Sequence, residues 1–319
     1  MATENDVLDL LLMGAPGDRI LLPLLGYPSE KTAIFTALVI AEYFGCQISI
    51  YHITRKSMKT EKIFYEHIDW FRKEAERLNI QYEIVIKEEV AKKRTHMAII
   101  HHIKELCPKL TIMMSRRKGL FQRLSGSIAE RVARKSPYSV LIIRSPTKDW
   151  EITKDLPYPQ KIVVPIGPGN PFEISALQLA IAIANAGQKK DAKIILLHVI
   201  TIPETVPIIP EDDEMILQEE KAFIQKAGKF STRLLFPMTS RVVVGRDIGR
   251  SVARFLNQEQ ASLAVLGVPY LPRKFFGLYG TDTSDILHIS NCPVLMLFYK
   301  EFIKNACSDL NSKRETFNT

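Results

Sequence analysis

Cysteine is scarce. Cys46, Cys107, Cys292 and Cys307 are scattered over 319 residues, with no CxxC spacing and no histidine at ligand distance. That pattern fits isolated thiols in a reducing cytoplasm and gives no support to a metal site. A basic start is also missing. Met1 to Asp18 carry Glu4, Asp6, Asp9 and Asp18 but no early lysine or arginine, so this segment lacks the pattern of a secretory signal. Apolar stretches are interrupted well before the ~18 residues that a membrane span needs. The expectation is a soluble, cytoplasmic chain. No GxSxG, HExxH or complete Walker loop occurs, which leaves an enzyme reading without a motif. Nor is there an aromatic-interleaved basic stripe or a helix-turn-helix pattern, so nucleic acid is not an expected partner.

What is present is globular material. Apolar residues make up 46% of the chain and charged residues 24%. The length allows two domains of ~100–200 residues. The net charge of +8 is uneven, because residues 1–149 hold 24 Lys/Arg against 17 Asp/Glu and the remainder holds 19 against 18. A basic half attracts acidic lipid or a phosphorylated ligand.

An internal repeat organises the chain. Arg19-Ile-Leu-Leu-Pro-Leu-Leu-Gly26 and Lys161-Ile-Val-Val-Pro-Ile-Gly-Pro168 open alike, with a basic residue, three aliphatics and a proline. A segment of helical period follows each, Lys31 to Phe44 and Pro171 to Ala186, stopped by Gly45 and Gly187. Next come the aliphatic runs Ile48–Thr54 and Ile194–Thr201, in which His52 matches His198. Such runs read as strands buried on both faces of a parallel sheet. The order continues in parallel: long amphipathic helices at Lys59–Leu78 and Glu211–Leu235, strands at Gln81–Lys87 and Arg241–Gly245, and helices at Arg94–Leu106 and Gly249–Gln258. Fourth strands follow at Leu110–Met114 and Leu263–Leu266, and fifth strands at Ser139–Arg144 and Pro293–Phe298. Alternating strands and helices predict two tandem α/β domains, each a five-stranded parallel doubly wound sheet of flavodoxin-like type. The predicted boundaries are an N-terminal extension at 1–18, domains at 19–147 and 160–300, a Pro-rich linker between them and a polar tail at 301–319.

In such sheets ligands sit beyond the carboxyl ends of the strands, where strand order reverses. The loop after the fourth strand of the second copy runs from Gly267 through Tyr270 to Gly280-Thr281, with Thr283 just inside the next helix. Gly280, Thr281 and Thr283 read either as a phosphate-binding helix start or as a plain turn and N-cap. In the first copy the equivalent loop is cationic, with Arg116, Arg117, Lys118 and Arg123 between Ser115 and Gly126-Ser127. It reads either as a solvated basic face or as an anion site built from guanidinium forks. His52 and His198 read as packing residues, and no catalytic residue or metal ligand is assigned.

The repeated order, the aliphatic-aliphatic-x-Pro starts and the Leu196–Val199 strand resemble the universal stress protein family, over about 270 of the 319 residues. ATP-binding members carry Gly-x2-Gly-x9-Gly-Ser/Thr between the fourth strand and the last helix. Gly267, Tyr270 and Gly280-Thr281 fall on that spacing, with Tyr270 in place of the second glycine. The resemblance implies a nucleotide site of ATP or AMP type at Pro165, Ile166, Gly167, Val199, Gly267, Tyr270, Gly280, Thr281 and Thr283. A secondary site is implied at Ser115, Arg116, Arg117, Lys118, Arg123, Gly126 and Ser127. Those members also hold the nucleoside with an Asp two residues after the first-strand proline, and here Leu25 and Gly167 stand there. The loss of one charged hydrogen-bond partner costs ~1.5–3 kcal/mol, so the ligand is expected to be held weakly or not at all.

The resemblance therefore implies a non-enzymatic regulatory protein in stress response, without a metal, whose copies pair as a pseudo-dimer through the fifth strands, with a homodimer as a further form. A second reading is a soluble sensor acting on a membrane transporter, a permease or cation antiporter. A third is a nucleotide-hydrolysing enzyme.

Overall fold

The structure is a computed structural model and describes residues 18–54, 58–88, 94–115, 127–145, 159–167, 173–185, 192–205, 214–268 and 281–300. The elements fall into two compact units, with β1 to α4 and most of β5 in the first and β6 to α8 and most of β10 in the second.

The first unit contains β1 (Arg19–Leu24), α1 (Glu30–Phe44), β2 (Gln47–Ile53), α2 (Met58–Arg77), β3 (Tyr82–Lys87), α3 (Thr95–Leu106), β4 (Leu110–Ser115), α4 (Ile128–Lys135) and β5 (Ser139–Arg144). Its strand order is β3-β2-β1-β4-β5. β1 pairs in parallel with β2 (Arg19 opposite Gln47) and with β4 (Leu21 opposite Thr111), and β2 pairs in parallel with β3 (Ile48 opposite Tyr82). Central strands need apolar side chains on both faces, and Ile20, Leu21, Leu22 and Leu24 are all fully buried. α1 is apolar almost all round and correspondingly buried, whereas α2 buries one stripe at helical spacing: Phe64, His67, Ile68, Phe71 and Ala75. Gly45 caps α1 in the left-handed conformation at φ 67°, as its position predicts, and Cys107 ends α3 in the same conformation without being glycine.

The second unit repeats the plan with β6 (Lys161–Pro165), α5 (Glu173–Asn185), β7 (Lys193–Thr201), α6 (Glu214–Arg233), β8 (Met238–Gly245), α7 (Ile248–Gln258), β9 (Leu263–Gly267), α8 (Thr281–Ile289) and β10 (Val294–Phe298). Its order is β10-β9-β6-β7-β8, with parallel pairing of β6 to β7 and β9, β7 to β8, and β9 to β10. Both units are thus five-stranded doubly wound α/β sheets. β8 starts three residues earlier than expected, because Met238, Thr239 and Ser240 pair with Ile194, Ile195 and Leu196 although they carry no aliphatic run. Among the described residues no helix is long and apolar enough to cross a membrane.

Candidate functional site

In each unit the chain leaves the first strand toward one edge of the sheet and later returns to fill the other. The reversal lies between β1 and β4 in the first unit and between β6 and β9 in the second. Crevices form beyond the carboxyl ends of strands at such points.

In the first unit the turn after β1 is already closed. The Glu30 carboxylate accepts from the Leu25 backbone N–H (2.9 and 3.0 Å to its two oxygens), from that of Gly26 (2.9 Å) and from that of Tyr27 (3.0 Å). Glu30 is 4% exposed and opens α1, where the helix dipole favours negative charge. Successive N–H groups of this kind form an anion-binding concavity, and here the chain supplies its own anion. Gly26 is required in the turn. Its φ is +77°, and an added Cβ would lie 2.2 Å from the carbonyl oxygen of Thr60.

The start of α4 is closed as well. Ser127 Oγ accepts from the Glu130 N–H at 3.1 Å, and the Glu130 carboxylate accepts from the Ser127 N–H at 2.9 Å, a complete capping box. Ser115, at the end of β4, donates to Ser127 Oγ at 3.4 Å, and both side chains are buried. The two serines expected at the secondary site are therefore brought together, as parts of a cap. Arg116, Arg117, Lys118, Arg123 and Gly126 lie outside the described residues.

In the second unit Pro165 ends β6, Ile166 is buried with its N–H bonded to the Leu197 carbonyl at 2.8 Å, and Gly167 follows half-buried. A Cβ added to Gly167 meets nothing within 4 Å among the described residues. Val199 lies within β7 and is buried. Gly267 ends β9, and Thr283 is half-buried in the first turn of α8, which begins at Thr281. Tyr270 and Gly280 lie outside the described residues. Beside Thr283, burial raises the Asp282 carboxyl above its ordinary range; a hydrogen bond from the Gly249 backbone opposes that, and nearby Asp247 and Asp285 reinforce it. Gly249 permits this contact, since a Cβ there would lie 2.4 Å from the Asp282 carbonyl oxygen.

One arrangement was not legible in the sequence. His52 Nδ1 lies 2.9 Å from the Leu24 carbonyl oxygen, and its Nε2 lies 3.2 Å from both carboxylate oxygens of Glu61. In the second unit His198 Nδ1 lies 3.1 Å from the Ile166 carbonyl oxygen and Nε2 lies 2.8 Å from Glu219 Oε1. The rings stack on Phe64 and Phe223. Each histidine fixes the tip of the first strand and ties it to the long helix. With both ring nitrogens engaged, this is structural work, consistent with packing. The glutamates lie 9 and 21 residues on from their histidines, so no common spacing announced them. His101 and His102 both lie beside Glu105, His102 also stacks on Tyr51, and among the described residues no group of three His, Cys, Asp or Glu could hold a metal ion.

Comparison with known proteins assigns the fold. The family model described as the universal stress protein family matches residues 16–144 and again 159–297. A functionally unknown protein from Pseudomonas aeruginosa has 14% identity to the chain, covering 94% of this chain and 97% of its own, with a TM-score of 0.59. A universal stress protein from Archaeoglobus fulgidus has 14% identity over 92% of this chain and 99% of its own, with a TM-score of 0.57. No curated protein sequence matches. With both halves matched by one family model, the chain belongs to the universal stress protein family and carries two copies of its domain.

Proposed function

We propose that the protein is a non-enzymatic regulator that takes one phosphorylated small ligand, of ATP or AMP type, in its second copy only. The observation that carries this reading is the self-closure of the first copy. Leu25, Gly26 and Tyr27 give their N–H groups to Glu30, and Ser127 gives its own to Glu130. A phosphate there would have to displace carboxylates already bonded to the backbone, which costs charge-assisted hydrogen bonds of ~1.5–3 kcal/mol each. The second copy offers Gly167 and Gly267 at the tips of adjacent strands and Thr281 and Thr283 at the start of α8. The half-buried Asp282, held to the Gly249 N–H, sets a carboxyl beside that helix start, which opposes an anionic ligand and keeps the affinity low.

Both histidines at the strand tips are occupied by a carbonyl and a carboxylate, so neither is placed as a general base. Incubation with ATP and Mg²⁺ is expected to release no phosphate above background. Steady turnover that is lost on changing a residue at either strand tip would replace this reading with that of a hydrolase.

A further inference from the structure

At the opposite, amino end of the first unit's sheet lies an open cleft of about 450 Å³, lined by Arg19, Gln47, Ser49, Ile80, Gln81 and Glu83 among others. That volume falls in the range of small-molecule pockets. Register places its polar groups together, since Arg19 is opposite Gln47 on β1 and β2, and Ser49 is opposite Glu83 on β2 and β3. Gln47 Nε2 donates to Gln81 Oε1 at 2.8 Å, and Arg19 Nη1 lies 3.6 Å from Glu83 Oε1. Ser49 is fully buried, and its Oγ has no hydrogen-bond partner among the described residues. A buried hydroxyl left unpaired calls for an explanation.

The second copy shows that the fold does not demand this chemistry. At the equivalent register positions Ile195 replaces Ser49, Thr239 replaces Glu83 and Lys193 replaces Gln47. Lys161, in place of Arg19, is bonded to Glu259 at 2.9 Å. Ile195 is buried there without difficulty. An unpaired serine where the sister position takes isoleucine therefore points to a role other than packing.

We infer that the first copy holds a second small-molecule site, at the amino ends of β1, β2 and β3, which takes a small zwitterion such as a free α-amino acid. Arg19 offers a guanidinium fork to a carboxylate, and Glu83 offers a carboxylate to an ammonium group. The two side chains lie as close to one another as the two charges of an α-amino acid. Their mutual ion pair is half-exposed and hence weak, so it opens readily to admit such a ligand. Ser49 Oγ and the Gln47–Gln81 amide pair supply the neutral hydrogen bonds, and Ile80 supplies apolar contact. A phosphate would face Glu83 and a simple amine would face Arg19, so ligands of single charge are disfavoured.

Calorimetric titration of the full chain with L-alanine, L-leucine and L-glutamine tests the site, with propionate and propylamine as single-charge controls. The expected result is a saturable one-to-one heat from at least one of the amino acids and none from the controls. Ser49→Ile, which imports the second copy's residue, is expected to weaken binding roughly tenfold or more while leaving the thermal midpoint unchanged or higher. The pair Arg19→Lys and Glu83→Thr gives the same decision should Ser49→Ile unfold the chain. No saturable heat at millimolar amino acid, equal binding of the controls, or unchanged binding in these variants would overturn the inference.

Discussion

The carboxylate of Glu30 holds the backbone N–H of Leu25 at 2.9 and 3.0 Å, so the turn that faces the ligand end of the first copy is bound by its own chain. The same carboxylate takes the next two N–H groups as well. Removing it leaves three donors to find new partners. Glu30→Ala is expected to destabilise the first copy by about 3 kcal/mol, and Glu30→Gln by about half of that, in urea unfolding followed by circular dichroism. An effect near zero for Glu30→Ala would show that the turn is not held in this way.

His67 gives a pH dependence with a definite sign. Burial, with Lys31 nearby, pushes its ring down to about 4 from 6.5, while Glu66 opposes, and its Nδ1 has no partner among the described residues. The unfolded chain takes up this proton near pH 6.5 and the folded chain only near 4, so stability falls as pH drops through that window and the loss is complete below it. Solvent screening of a ring that is not wholly enclosed limits the effect to about 2 kcal/mol. His67→Leu is expected to flatten the decline between pH 7 and pH 5, as measured by denaturation midpoints. An unchanged slope would remove His67 as its source.

The buried thiols are predicted to be inert. Burial, with Asp18 nearby, pushes Cys46 up to about 12 despite Lys109, and burial pushes Cys292 to about 11 against an opposing backbone hydrogen bond. Few thiolates are present at pH 8, and the thiolate is the reacting species. Peptide mapping after iodoacetamide treatment should find both unmodified in native protein and modified in urea. Native alkylation of either at the rate of a free thiol would contradict the packing described here.

The paired struts make a further prediction. His198 is buried, stacked on Phe223, and engaged by Ile166 and Glu219. His198→Ala is expected to cost about 3 kcal/mol through the cavity and the unpaired Ile166 carbonyl. Glu219 is part-exposed, and Glu219→Gln is expected to cost less than about 1 kcal/mol. Equal losses in both would mean that the carboxylate, rather than the ring, carries the strut.

Most of the fold was legible because aliphatic runs such as Ile194–Val199 and the two prolines Pro23 and Pro165 mark the strands directly. Element ends were less so. Cys107 caps α3 with no glycine to signal it, and Met238–Ser240 become strand only because β7 offers them partners. The proposed site was read as loops and spacing, which point to Gly267 and Thr281 but not to the closure of the first copy. Glu30 was invisible as a ligand mimic because its role depends on the turn folding back over it. Glu130 sits three residues from Ser127 in a recognisable cap pattern, yet Ser127 also belonged to the secondary site that the resemblance implied. Local sequence does not decide between two uses of one helix start; the hydrogen bonds at Ser127 are those of a cap.

The central claim is one ligand, in the second copy only, weakened by the missing nucleoside carboxylate. Among the described residues nothing crowds a side chain at Gly167, so Gly167→Asp is expected to restore that carboxylate, while Leu25→Asp places it over N–H groups that Glu30 already fills. Titration of the full chain and both variants with ATP tests this most directly. The account predicts at most one site in the parent, an affinity roughly ten- to hundred-fold higher in Gly167→Asp, and no new site in Leu25→Asp. Two equivalent sites in the parent, or a Gly167→Asp chain that binds no better, would contradict it.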